Sequence, residues 1–221
     1  MFVFEDRQDA GRKLAALLQK YRGEEPLVLG LPRGGVPVAF EIAQALGTAM
    51  DVWVVRKIGA PMQPELGVGA VAEGGGIFVD HLSVELSGAS ESEVTQIAER
   101  EKGEVERRVR LFRGGRPPPQ VKGRTIIVVD DGIATGGTAR AALQALRKLG
   151  PERLILAVPV AATETLEALQ TEVDEMVCCE STPYLGAIGS WYEDFSQVSD
   201  DEVAELLRRG ASSTAVTKAV A

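Results

Sequence analysis

Two apolar spacings take turns along this chain. From Asp6 to Arg22 the spacing is helical: Leu14, Leu17, Leu18 and Tyr21 fall on one face, and Gly23 offers a stop. Leu27–Leu31 is a short apolar run ending in Pro32-Arg33-Gly34-Gly35, and Val36–Leu46 returns to helical length. The valine-rich stretch Asp51–Val55 predicts a second strand. Gly59 to Pro64 reads as a loop. Gly67–Ala72 and Ile77–Val79 then read as short hairpin strands around Glu73-Gly74-Gly75-Gly76. Ser90 and Glu93 have capping-box spacing and open a helix to about Phe112, closed by Gly114-Gly115-Arg116-Pro117-Pro118-Pro119. Thr125–Val129 is an unbroken β-branched run, the mark of a strand buried on both faces. A helix over Gly136–Leu149, a strand over Leu154–Val160, a helix over Ala162–Leu169 and a strand over Glu175–Cys179 follow. Ser199 caps a last helix, Asp200–Arg208, and the weakly patterned Ser212–Ala221 is expected to fray.

Strands and helices thus alternate from residue 27 to 179. That predicts βαβ crossovers and an α/β fold with a mainly parallel sheet flanked by helices. With no internal repeat and no low-complexity linker, residues 1–221 are expected to form a single domain. Its core covers about 25–180, with a cap and C-terminal helix over about 181–210.

Composition narrows the class of partner. Hydrophobic residues make up 45% and charged residues 25% of the chain, which excludes disorder as its general state. A net charge of −8 argues against a nucleic-acid partner, though not against an anionic small ligand in a locally positive pocket. Cys178 and Cys179 are adjacent, which suits neither a disulfide nor a zinc site; they read as strand residues in a reducing compartment. No signal peptide is recognisable and no run reaches the ~18 apolar residues of a membrane span. The expectation is a cytoplasmic protein with no membrane partner. The charged helix 90–112 reads as a solvated face, with a flap or dimer contact as the more specific alternative.

In open parallel sheets, ligands sit at the carboxyl ends of the strands. Three segments place unusual residues there. Asp130-Asp131-Gly132-Ile133-Ala134-Thr135-Gly136-Gly137-Thr138 follows the apolar strand and precedes a helix. Glycines let backbone amides turn inward, the helix start adds partial positive charge, and Thr135 and Thr138 supply hydroxyls. This is a phosphate-monoester site that needs no lysine. The two acids just before it are placed to accept hydrogen bonds from vicinal ribose hydroxyls. A Walker A loop would need a lysine before Thr138, and the dinucleotide fingerprint is absent. The second segment is Leu31-Pro32-Arg33-Gly34-Gly35. The third is Arg56-Lys57, two cations ending a valine strand, read as ligands rather than as a surface salt-bridging pair.

Residues 126–138, IIVVDDGIATGGT, resemble the phosphoribosyl pyrophosphate signature of type I phosphoribosyltransferases, which have a Rossmann-like core and a small hood near the termini. The resemblance covers about residues 25–180. It implies that Asp130 and Asp131 contact the ribose 2- and 3-hydroxyls as catalytic residues, and that the 5-phosphate rests on Ile133, Ala134, Thr135, Gly136, Gly137 and Thr138. It also implies that Arg33, Gly34, Arg56 and Lys57 hold the pyrophosphate. Mg2+ is implied as cofactor, bridging substrate oxygens with at most Asp130 and Asp131 as carboxylate contacts, through water. The implied reaction passes the phosphoribosyl group to a small-molecule acceptor, a nitrogenous base, and releases pyrophosphate. Homo-oligomers are common in that family. The runs LPRGGVPVAFEIAQALG, VVRKIGAPMQPELGVGAVAEGG and FSQVSDDEV are similar to a subgroup with no settled substrate.

One position departs from the purine-salvage pattern. Where those members carry an acid beside the purine ring, this chain has Ala134. Recognition of the acceptor then falls to the hood, where Trp191, Tyr192 and Phe195 either stack on a ring or pack the C-terminal segment onto the core. The Met62–Leu66 loop is a candidate cover. His81, the single histidine, reads as a loop or hairpin residue. Two other functions fit parts of the pattern: a sensor that binds phosphoribosyl pyrophosphate without turnover, and a metal-assisted phosphohydrolase, for which too few metal ligands are present.

Overall fold

Five strands pair in parallel in the order β2-β1-β6-β7-β8. They are β1 (Leu27–Gly30), β2 (Met50–Val52), β6 (Thr125–Val129), β7 (Arg153–Ala162) and β8 (Glu175–Thr182). A second, antiparallel sheet holds β3 (Val55–Ala60), β4 (Gln63–Ala72) and β5 (Ile77–Val79). The helices are α1 (Arg7–Leu17), α2 (Gly35–Leu46), α3 (His81–Ser87), α4 (Glu91–Arg113), α5 (Gly137–Lys148), α6 (Thr163–Leu169) and α7 (Asp200–Ala219). The computed structural model describes residues 3–219, without the side chains of Glu65 and of 212–219.

The unbroken run at β6 is apolar because both its faces are covered. Ile127 and Val129 join the core formed with Val36, Phe40 and Ile42 of α2. Ile126 and Val128 join the opposite core with Leu143 and Leu146 of α5. Period-two alternation therefore buries every residue of the strand. The predicted parallel sheet flanked by helices is the observed one.

Several boundaries differ from expectation. Asp51–Val55 is not one strand. The Trp53 amide still bonds Gly30 O in the large sheet at 3.1 Å, but the Val54 carbonyl turns to the Glu73 amide at 2.8 Å, and the chain crosses into the small sheet. A continuous apolar run hides this switch, because both halves are buried. Gly59 to Pro64 is not a free loop either: β3 runs to Ala60 and β4 starts at Gln63, with a register shift at Gly59 that leaves Pro64 outside a regular ladder. The hairpin of β4 and β5 around Glu73–Gly76 is present. His81 lies not in a loop or hairpin but at the start of α3, capped by Asp80. On α1, Leu14, Leu18 and Tyr21 are buried but Leu17 is exposed, since the chain tightens into a 3-10 turn over Gln19–Tyr21. The last helix passes Arg208 and continues to Ala219, and Val220 and Ala221, the end of the segment expected to fray, lie outside the described residues.

α4 joins the two sheets. Its capping box is formed, with Ser90 N donating to Glu93 Oε2 at 2.9 Å. Val94, Ala98, Val105 and Phe112 face inward, and most of its charges lie outside, as a solvated face requires. Its last residue, Arg113, is buried. It donates through Nε to Asp51 Oδ2 at 3.3 Å, through both terminal nitrogens to Glu73, and to Val52 O at 2.8 Å. This ion cluster ties α4 to β2 and to the β4–β5 turn.

Candidate active site

β1 and β6 are neighbours, and both run out at the same edge of the sheet. Their pairing continues one step beyond the strands, with the Leu31 amide donating to Val129 O at 2.8 Å. This brings the loop after β1 against the acids after β6. Gly34 meets Asp131 so closely that a methyl at Gly34 would lie 2.5 Å from Asp131 Cγ. The Pro32–Arg33 peptide in this loop is cis.

The loop after the acids is pinned to β7. The Ile133 amide bonds Val160 O and the Ala162 amide bonds Ile133 O, both at 3.0 Å. Thr165 Oγ1 donates to Ala134 O at 2.5 Å. Gly136 then takes a left-handed conformation at φ 74°, and a methyl there would lie 2.6 Å from Thr165 Cγ2. α5 begins directly after it. Asp6, Asp80 and Ser90 cap α1, α3 and α4 with side-chain oxygens, but α5 has no side-chain cap. Its first-turn amides lack intrahelical acceptors, as do those of α2 and α6, which also have no side-chain cap.

Asp130 and Asp131 are half-buried at this edge. Burial, reinforced by the Asp131 charge, holds the Asp130 carboxyl well above the usual range. Burial also raises Asp131, against the opposing pull of Arg7. Arg7 Nε donates to Asp131 Oδ2 at 2.7 Å, and Tyr192 Oη donates to Asp131 O at 2.5 Å. Neither partner was legible as such in the sequence. Arg7 is one of many charges on a terminal helix. Tyr192 was a stacking candidate, but its ring is buried between Phe4 and Phe195, with centroids at 5.2 and 4.9 Å. Trp191 is also engaged, its Nε1 donating to Leu185 O at 2.9 Å. Of the two readings of this aromatic group, packing onto the core is the observed one.

The structure brings Asp130, Asp131, Gly34 and Ile133 to Thr138 to one edge. Of the predicted cations, Arg33 adjoins Gly34 in its loop, while Arg56 lines a cleft away from the acids. Arg33 Nη1 is 3.7 Å from Asp200 Oδ1 of α7. Arg56 Nε donates to Glu101 Oε2 of α4 at 3.0 Å. Lys57 lines two clefts. One, of about 310 Å³, lies between the small sheet and the phosphate loop and includes Gly67, Asp80, Thr135, Thr138 and Arg140. The other, of about 650 Å³, lies between the β3–β4 hairpin and α4, and neither cleft is lined by Asp130 or Asp131. Met62 sits at the tip of that hairpin, 89% exposed. Among the described residues no group of three His, Cys, Asp or Glu could cage a metal. The all-oxygen Asp130–Asp131 pair fits magnesium, which needs only one or two carboxylates when substrate phosphates supply the rest.

The strand order, with an acid pair and an uncapped Thr/Gly loop at its carboxyl edge, is that of the type I phosphoribosyltransferase fold. A model of the phosphoribosyl transferase domain matches residues 5–201, and the chain belongs to that family. A solved structure, TT1426 from Thermus thermophilus, superposes with a TM-score of 0.79 at 41% identity, covering 93% of this chain and 98% of that one. A provisionally named phosphoribosyl transferase of Mycobacterium tuberculosis is 43% identical over 209 residues, 95% of this chain. The chain spans about half of that relative, 47% of its length. A uracil phosphoribosyltransferase of Lactobacillus gasseri is 47% identical over 53 residues, 24% of this chain and 25% of its own. No helix among the described residues is long and apolar enough to cross a membrane.

Proposed function

We propose that this chain binds phosphoribosyl pyrophosphate and transfers the phosphoribosyl group to a nitrogenous base, with release of pyrophosphate. The observation that supports it best is the placement of Asp131 against Gly34 and Asp130 against Gly35, directly before a Thr/Gly loop that leads into α5, a helix without a side-chain cap. In this reading the two carboxylates accept hydrogen bonds from the ribose hydroxyls. The amides from Ile133 to Thr138, with the Thr135 and Thr138 hydroxyls, hold the 5-phosphate. The Gly34 amide, Arg33, Arg56 and Lys57 take the pyrophosphate, for which Arg56 exchanges Glu101 for the ligand.

Positive charge develops on the sugar as the bond to pyrophosphate breaks, so the protein acts by positioning and by stabilising the leaving group. Asp130 and Asp131 would hold magnesium, largely through water, and the bound ion would neutralise charge on the pyrophosphate. The acceptor is read by the hood, because Ala134 offers no acid to a purine ring.

Calorimetry with phosphoribosyl pyrophosphate and magnesium tests the site. The wild type binds, and Asp130→Ala with Asp131→Ala abolishes binding while circular dichroism is unchanged. Equal affinity in the double variant overturns the assignment. Pyrophosphate release across a panel of bases then tests turnover, and tight binding with no release from any base contradicts the transferase reading.

A further inference from the structure

Arg7 opens α1, far from the acids in sequence, yet its side chain is 12% exposed and locked at the site. Nε donates to Asp131 Oδ2 at 2.7 Å and Nη1 donates to Ser196 O at 2.8 Å. The guanidinium carbon lies 3.8 Å from the centroid of the Phe195 ring. Two hydrogen bonds and a ring face fix the planar fork, which loses little further entropy in holding a carboxylate. Asp131 is held at two points, Oδ2 by Arg7 and its main-chain carbonyl by Tyr192, and the absence of a side chain at Gly34 leaves room for its carboxylate. Asp130 is held differently, its Oδ1 accepting the Asp131 amide at 2.9 Å. Arg7 takes Oδ2 of Asp131, and Oδ1 is the other oxygen of that carboxylate.

We propose that Arg7 is a positioning residue for the acid pair. It occupies one oxygen of Asp131 and so aims the other at a ribose hydroxyl, and it ties the hood segment 192–196 to the donor site. This rests on the reading of the edge as a phosphoribosyl site. An ion pair with a merely structural role changes stability but not the choice of sugar. A latch that ligand must open has the opposite signature, because its removal tightens binding.

The test is calorimetry with ribose 5-phosphate and its 2-deoxy and 3-deoxy analogues. The proteins are the wild type, Arg7→Met, Arg7→Lys, Asp131→Asn and the Arg7→Met/Asp131→Asn pair. The wild type prefers the full sugar over the analogue lacking the hydroxyl that Asp131 reads. Arg7→Met weakens ribose 5-phosphate by roughly tenfold or more, the loss of a charge-assisted contact, and erases that preference. Arg7→Lys keeps part of it. In the Asp131→Asn background, Arg7→Met has no further effect, and this pair removes both charges, so it stays folded where the single variant leaves a buried carboxylate. A preference retained in full by Arg7→Met, tighter binding, or an equal loss in the Asp131→Asn background overturns the proposal. Absence of binding of all three sugars to the wild type overturns instead the donor-site reading on which it stands.

Discussion

Gly34→Ala isolates the contact between the two loops at the sheet edge. Gly34 has φ −60° and ψ −34°, so alanine meets no backbone penalty and the added methyl is the whole perturbation. That methyl would lie 2.5 Å from Asp131 Cγ, whereas carbon atoms rest at about 3.5–4.0 Å. The Asp131 carboxylate must therefore retreat by about 1 Å or more, away from its 2.7 Å contact with Arg7. Overpacking of this kind costs about 1–3 kcal/mol, which in a chain of this size lowers Tm by about 2–12 °C. Loss of the charge-assisted hydrogen bond that the displaced carboxylate makes to a ribose hydroxyl costs about 1.5–3 kcal/mol. The expected result is a folded protein with a modest fall in Tm and a roughly 10- to 100-fold weaker Kd for phosphoribosyl pyrophosphate by calorimetry. Wild-type affinity in this variant would falsify the placement of Asp131 at the ribose.

Arg113→Met strands the Asp51 and Glu73 carboxylates in the interior, so urea unfolding at neutral pH should show a loss of about 3–5 kcal/mol. Burial already holds Glu73 above its ordinary 4.5, so its neutral form is favoured on folding; that contribution is present below 4.5 and lost as pH rises through the raised value. Without Arg113 the value rises further, and the deficit should shrink as pH falls toward 4.5; a deficit constant with pH speaks against the cluster as the cause. Tyr192→Phe keeps the packing on Phe4 and Phe195 but leaves Asp131 O without its donor, for a loss of about 1–3 kcal/mol in denaturant unfolding and weaker ligand binding. Gly136→Ala forces a left-handed alanine at about 1–2 kcal/mol and sets a methyl 2.6 Å from Thr165 Cγ2, so ribose 5-phosphate affinity should drop. Unchanged affinity there shows that the loop does not hold the phosphate.

Much of the fold was legible because burial leaves a strong local trace. Thr125–Val129 is a strand with the expected bounds, since a run covered on both faces has no polar position to blur its ends. Ser90 caps α4 as its spacing predicts. The acid pair and Thr/Gly loop were readable for a related reason: their geometry is local, within one strand–turn–helix. What escaped depends on partners distant in sequence. The strand switch after Val52 is set by Glu73, whose amide captures Val54 O. Arg113 looks like one more cation on a charged helix until Asp51 and Glu73 meet it. Arg7 carries no signal at all, because what singles it out is Asp131, 124 residues away.

The seam between the two ends of the chain sets an order in time. The Val3 and Phe4 amides both bond Trp191 O at 3.1 Å, and Phe4 bridges Tyr192 in parallel. Tyr192 is made 61 residues after Asp131. At ~5–20 residues per second, a ribosome finishes β6 about 3–12 s before it supplies Tyr192, the donor to the Asp131 carbonyl. A nascent chain that stops after α6 can hold every strand of the sheet but β8, with Arg7 already made but without Ser196 and Phe195 to fix it or Tyr192 to bond the Asp131 carbonyl. On the proposed function, ligand capture is a late event in synthesis, and a protein truncated before Tyr192 should gain no protection from phosphoribosyl pyrophosphate in a proteolysis assay.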